Sequence, residues 1–131
     1  MRIMKEKQRD AFDEFSSSEK SKKLGFYQKV YSVVESIPYG FVASYKTVAT
    51  ACGRPDCARQ VGWALHVNPN PIKTPCHRVV FADGRLTGSF AFGGAEAQRG
   101  LLLAEGVVFD AEGRVSRDRF CSVADLKTFE E

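Results

Sequence analysis

The residues Pro75-Cys76-His77-Arg78-Val79 set a thiol directly beside an imidazole. A free thiol has a pKa of about 8.5, so only a small fraction is thiolate at neutral pH, and a nearby base that takes its proton is the usual way to make it a nucleophile. Adjacency in sequence does not by itself bring the two groups into contact. An isolated Cys-His pair is more often an inert buried thiol next to a satisfied core histidine, and on these two residues alone the inert reading is favoured. The other cysteines, Cys52, Cys57 and Cys121, have no histidine beside them. Structural zinc needs closely paired ligands and a second pair at matching spacing. Cys52 and Cys57 are close enough to be one pair, but His66 and His77 do not make the other, so no metal site is expected.

These residues must be positioned by elements whose pattern is legible along the chain. Phe26, Val30, Val33, Val34 and Ile37 recur at helical spacing, and Pro38 with Gly40 stops the run, which predicts a helix over about Leu24 to Ser36. Ser44 suits the N-cap of a helix over Tyr45 to Ala51, ended by Gly53 and Pro55. Asp56 is expected to cap a second helix through about His66, carrying Val61, Ala64 and Leu65 inward. Two short helices joined by a tight glycine-containing turn form a helix-turn-helix pattern, common enough that alone it does not imply DNA binding. Asn68-Pro69-Asn70-Pro71 breaks the helix and leads into Val79-Val80-Phe81 and an Asp83-Gly84 turn, which predicts a small hairpin. Ala95 to Ala104 returns to a helical pattern with Leu101, Leu102 and Leu103, and Val107 to Val115 around Glu112-Gly113 predicts a second hairpin.

The fold class expected is therefore mainly α with small β-hairpins (α+β). At 131 residues and 44% hydrophobic, the chain suffices for one domain with a core and is short for two. Residues 1–23 read as a charged, Ser-rich tail or extra helix, with at most a short helix around Ala11 to Phe15, and residues 24–131 as the domain proper. The apolar runs fall far short of the roughly 20 residues a membrane helix needs. Met1 to Asp10 is charged and no apolar signal-peptide core follows, so a cytoplasmic protein with reduced thiols is expected. The net charge is +3, and within Ser44 to Val80 five basic residues (Lys46, Arg54, Arg59, Lys73, Arg78) face one acidic residue (Asp56). Such a stretch suits a phosphate backbone, although a solvated helix surface accounts for it equally well.

The ordered run Ile37-Pro38-Tyr39-Gly40, Ser44-Tyr45, Ala58-Arg59-Gln60-Val61-Gly62, Asn68-Pro69, Pro75-Cys76-His77-Arg78-Val79-Val80, Asp83-Gly84-Arg85-Leu86, Gly93-Gly94 and Leu101 to Gly106 resembles the DNA-binding and catalytic domain of O6-alkylguanine-DNA alkyltransferases. The resemblance spans about Leu24 to Val108, and the order and intervals of its motifs make it more specific than any one of them. It implies a winged-helix-like domain containing a helix-turn-helix, acting as a monomer on double-stranded DNA that contains O6-alkylguanine, without cofactor or metal. Cys76 matches the acceptor of the alkyl group, His77 the base that deprotonates it through a water, Glu105 the carboxylate that orients that base, and Asn68 the hinge asparagine. Arg59 matches the arginine that replaces the flipped base in the stack, and Tyr45 the tyrosine that pushes the target phosphate. Ala58 and Gly62 match small positions where the helix approaches DNA, in this family through the minor groove. Arg78 is assigned to the same DNA face, and Trp63, Phe92 and Gly93 to the substrate pocket. Base flipping fits the chemistry, because a thiol in a pocket cannot reach its target within a stacked duplex.

Three departures stand out. The interval from Cys76 to Gly93, through Ser89-Phe90-Ala91-Phe92, is about two residues longer than is usual in the family. Ala91-Phe92 replaces an aromatic-serine pair, and Gln98 stands where many active members carry lysine. The short format and the hairpin over Val107 to Val115 resemble the alkyltransferase-like proteins, which bind alkylated guanine and flag it for nucleotide excision repair without transfer but characteristically lack the acceptor cysteine. Two readings follow: a single-turnover methyltransferase of the nucleoid, or a lesion sensor with nucleotide excision repair proteins as partners. A plain helix-turn-helix regulator is a third, and the intact Pro75-Cys76-His77-Arg78 run argues against it.

Overall fold

The computed structural model describes residues 17–87 and 90–130. Most of the charged lead-in, including the short helix expected around Ala11 to Phe15, lies outside the described residues, as do Gly88 and Ser89. The first helix, α1, runs Ser17–Glu35, beginning before the expected Leu24. Lys and Glu are good helix formers, so a charged stretch extends a helix that the apolar pattern alone would start later. Val30, Val33 and Val34 are fully buried, with Ile37 just beyond the helix end.

The helix-turn-helix follows, entered through a strand. β1 is Ala43–Ser44, and Ser44 is also the N-cap of α2 (Tyr45–Ala51), its hydroxyl accepting from the Thr47 amide at 3.0 Å. Gly53, at φ +84°, turns the chain after Cys52. The next helix, α3, is Ala58–His66, and its N-cap is Cys57 without a side-chain capping bond. The expected cap, Asp56, sits one residue too early and remains mostly exposed, 3.9 Å from the Arg54 guanidinium. Packing sets that boundary, since Cys57 and Val61 are buried. The Tyr31 hydroxyl donates to the Ala64 carbonyl at 2.8 Å, tying α1 to α3.

A 3-10 turn over Cys76–Arg78 leads into β2, Val79–Val80. This strand pairs in parallel with β1, Ala43 opposite Val79 and Ser44 opposite Val80, instead of forming the expected hairpin ladder. Consecutive fully buried valines mark a strand covered on both faces, the usual condition of parallel pairing. The Asp83-Gly84 turn is present, with the Phe81 amide donating to the Arg85 carbonyl at 3.0 Å. A second hairpin does form, reduced to one antiparallel bridge between Phe109 and Val115. The chain then returns beside β1, where Val42 bridges Phe120 in parallel.

The fourth helix, α4, is Gly94–Ala104. Of its three consecutive leucines only Leu102 is buried, with Val42, Val80, Val107 and Val115, while Gln98 is buried one turn earlier. A larger core lies between α1, α2 and α3. Among the described residues, no helix is long and apolar enough to cross a membrane and no cluster of metal-ligating side chains forms.

Burial gives the fold an alkaline limit. It pushes the Cys52 thiol from 9.0 up to about 11, only partly opposed by Lys29. The unfolded chain releases that proton near its ordinary pKa while the folded chain retains it, so the stability is complete below about pH 9 and is lost as pH rises toward the folded value. Urea unfolding at about pH 10 should show roughly 1–2 kcal/mol less stability from this group than at about pH 8. Cys52→Ala should flatten the alkaline fall, and an unchanged slope would contradict the assignment.

Candidate active site

Glu105 is the hub of the site. It caps the C-terminus of α4, and its carboxylate accepts the Gly40 amide at 3.0 Å and the Arg78 Nε at 2.9 Å on Oε1. Oε2 accepts the Arg78 Nη2 at 3.0 Å and lies 2.6 Å from the His77 Nε2. Burial raises its pKa, but the Arg78, Gly40 and His77 bonds outweigh that and leave the carboxyl below its ordinary value. With Glu105 ionised, Nε2–H of His77 donates, which leaves Nδ1 as the nitrogen that can receive a proton.

The loop before β1 holds this hub. Gly40 lies at φ +86°, a conformation that favours glycine, and a Cβ there would stand a tight 3.1 Å from the Glu105 carbonyl oxygen. Arg78 Nη1 donates to the Ile37 carbonyl at 2.9 Å, and its guanidinium lies 5.5 Å from the Tyr39 ring centroid. Arg78 therefore does not belong to a DNA face as expected. Its side chain is 14% exposed and turned inward, because Glu105 needs a fixed cation in a nearly dry site.

Cys76 opens the 3-10 turn and is 5% exposed. Burial raises its thiol pKa, partly offset by a hydrogen bond from the Asn68 side chain and by the backbone. Asn68 is itself buried: its Nδ2 donates to the Thr74 carbonyl at 2.8 Å and its Oδ1 accepts from the Asn70 amide at 3.0 Å. The Thr74 hydroxyl donates to Glu35 at 2.6 Å, anchoring the loop to α1. On the other side, Gln98 Nε2 donates to the carbonyls of His77 and Val79 at 3.1 and 3.0 Å. A neutral amide thus clamps the turn, with its own Oε1 buried and without a hydrogen-bond partner among the described residues.

Cys76 borders a cavity of about 660 Å³. Tyr45 and Phe81 line it, their ring centroids 5.5 Å apart, and Ala58, Arg59, Gly62 and Trp63 contribute one face of α3. Arg59 is exposed, whereas burial raises the Tyr45 hydroxyl pKa against a hydrogen bond with Thr87. Gly62 is not demanded by the fold, for a Cβ would meet nothing nearer than Tyr45 Cε1 at 4.0 Å.

A family model described as the DNA binding domain of 6-O-methylguanine DNA methyltransferase matches residues 25–107. The chain belongs to this family. It is 43% identical over 79 residues to a methylated-DNA–protein-cysteine methyltransferase of Mycolicibacterium paratuberculosis, covering 60% of this chain and 46% of that protein. It is 38% identical over 99 residues to a DNA base-flipping protein of Escherichia coli K12, covering 76% of this chain and 75% of that one. Among solved structures, S. pombe Atl1 in complex with damaged DNA containing O6-carboxymethylguanine superposes with a TM-score of 0.63 at 33% identity, over 75% of this chain and 95% of Atl1. Mycobacterium tuberculosis OGT in complex with DNA gives 0.58 at 43% identity, over 62% and 48%. The chain spans about half or less of the length of the methyltransferases it matches.

Within this domain, the expected pocket residues divide. Trp63 lines the cavity; Phe92 and Gly93 do not, and Phe90 and Ala91 take their place. Phe92 packs edge-on against Phe90 with ring centroids 5.7 Å apart. Gly93 is the N-cap of α4 at φ +122°, where a Cβ would clash with Ala97 Cβ at 2.6 Å. Which residues of this irregular loop face the cavity leaves no local signal in the sequence.

The inward role of Arg78 has a direct consequence. Arg78→Met should cost about 3–5 kcal/mol in urea unfolding, since it leaves a buried carboxylate short of its cation. Arg59→Ala should change stability by no more than about 0.5 kcal/mol. Equal costs would contradict the inward placement of Arg78.

Proposed function

We propose that this protein binds duplex DNA containing O6-alkylguanine, extrudes the damaged base into the cavity beside Cys76, and transfers the alkyl group irreversibly to that thiol. The observation that carries the reading is a buried cysteine bordering the cavity, followed in the chain by a histidine whose Nε2 lies 2.6 Å from the Glu105 carboxylate. His77 Nδ1 receives the thiol proton through a water. The sulfur then forms a bond to the alkyl carbon as the O6–carbon bond breaks, the electron pair stays on guanine, and guanine takes up a proton.

Exposed Arg59 enters the stack where the base leaves, and Tyr45 acts on the target phosphate. Ala58 and Gly62 let α3 approach the duplex closely, which gives the unconstrained Gly62 a reason outside the fold. Relatives named for base flipping, or solved in complex with DNA, support DNA as the partner. Residues 24–131 carry the activity as a monomer, without cofactor or metal, in the cytoplasm at the nucleoid.

A second reading rests on coverage: the match extends over 95% of S. pombe Atl1 but under half of the methyltransferases. It makes the protein a lesion sensor that recruits nucleotide excision repair. One assay divides the two. Duplex carrying tritiated O6-methylguanine should pass label to the protein at a ratio approaching one per chain, recovered on the Cys76 peptide. Lesion-selective binding without label would leave the sensor.

A further inference from the structure

The family match ends at residue 107, yet the chain continues into a hairpin closed by the Phe109–Val115 bridge. That hairpin docks on the turn after β2. The Val115 amide donates to the Gly84 carbonyl at 2.9 Å. At Gly84, φ +91°, a Cβ would stand 2.9 Å from the Val115 carbonyl oxygen and 3.1 Å from Arg114 Cβ, so the close approach depends on glycine. The contact gathers three exposed arginines around one turn. Arg114 stands beside Gly84, and Arg85 lies 5.4 Å from the Phe81 ring centroid. Arg117 donates from Nη1 to the Ala82 carbonyl at 2.6 Å and lies 4.2 Å from the Phe120 ring centroid. Of the nearby acids, Asp83 pairs with Arg85 at 2.7 Å, Asp110 accepts the Glu112 and Arg114 amides, and Asp118 accepts the Ser116 hydroxyl. No carboxylate lies within ion-pair distance of Arg114 or Arg117 among the described residues.

We infer that residues 108–117 form an added phosphate-binding arm, in which Arg114 and Arg117, together with Arg85, hold the DNA backbone that flanks the extruded nucleotide. The turn they surround begins one residue after Phe81, whose ring lines the cavity and is 39% exposed. A duplex lying across the cavity mouth therefore passes this edge. A guanidinium already fixed by a ring and a carbonyl keeps other N–H groups free and loses little freedom on gripping a phosphate. The inference rests on the proposed reading that duplex DNA lies across the mouth with the damaged base extruded. Because arginines of this kind meet phosphate and no base, they add affinity that is indifferent to the lesion.

The test uses the full chain with Cys76→Ala, so that binding stays at equilibrium, and two duplexes identical except for guanine or O6-methylguanine at one position. Arg114→Gln combined with Arg117→Gln is expected to make the dependence of log affinity on log salt concentration shallower by about 2, close to one phosphate contact for each arginine. Affinity at about 0.1 M salt should fall roughly tenfold or more on both duplexes, with the ratio between them unchanged. Arg117→Lys, which retains the charge, should keep the wild-type slope. Lys127→Gln, which removes a charge beside the end of α1 instead, should keep it as well. A wild-type slope in a folded double variant would overturn the inference and leave the pocket reading standing. An equal fall in Lys127→Gln would also overturn it, since net charge and not the arm would then be responsible. The expected fall together with equal wild-type affinity for the two duplexes would support the arm and remove the pocket reading.

Discussion

Cys76→Ala is expected to accept no alkyl group from O6-methylguanine in duplex DNA while still binding that duplex. The sulfur is the only atom in the substitution that can form the new bond, so the loss is complete and not graded. In the proposed reading lesion binding draws on α3 and the cavity wall, to which Cys76 contributes a single small side chain. The activation of the thiol is tested by the pH dependence of the transfer. Burial holds the Cys76 thiol above its ordinary value despite the Asn68 hydrogen bond, so little thiolate exists at neutral pH. The wild-type transfer rate should therefore rise with pH across the neutral range, and Asn68→Ala, which removes a bond favouring the thiolate, should lower it at every pH. Label appearing on Cys76→Ala would place the acceptor elsewhere and end the proposed mechanism.

Glu105→Gln is expected to damage both activity and stability. In activity, the amide no longer balances a proton arriving on His77, and single-turnover transfer should slow by about 10²–10⁴-fold. In stability, the amide places an N–H group among donors from Gly40, Arg78 and His77 and leaves the Arg78 guanidinium without its counter-charge. Losing one partner of a buried pair costs about 3–5 kcal/mol. The acid limb supplies a sign. The folded carboxyl has a pKa below its ordinary value, so its stabilisation is complete above the ordinary carboxylate range and is lost as pH falls through the folded value. Wild-type stability should thus fall more steeply in acid than that of Glu105→Gln. Transfer at the wild-type rate from a folded Glu105→Gln protein would remove Glu105 from the proton path.

Much of the framework was legible in local pattern. The apolar spacing from Phe26 to Ile37 marks the buried face of α1, and Ser44 caps α2 as its hydroxyl chemistry suggests. Both signals act within one or two helical turns, so they do not depend on the rest of the molecule. The misreadings have a common cause. Asp56 is a good capping residue, but the burial of Cys57 and Val61 sets the start of α3 one residue later. Val79-Val80 reads as half a hairpin, yet its partner is Ala43–Ser44, far earlier in the chain.

The sequence by itself determined the chemistry available: one thiol with an adjacent imidazole, a helix-turn-helix, and an ordered set of motifs that names a family. Tertiary structure decided which groups use that chemistry. Glu105 reaches His77 across 28 positions of sequence, and Arg78, basic and next to the histidine, turns inward to the carboxylate instead of outward to solvent. Phe90 and Ala91, not Phe92 and Gly93, line the cavity, because one step along an irregular loop changes which way a side chain faces. Spacing encodes periodic elements, whereas long-range pairing and the orientation of loop residues follow from how those elements pack.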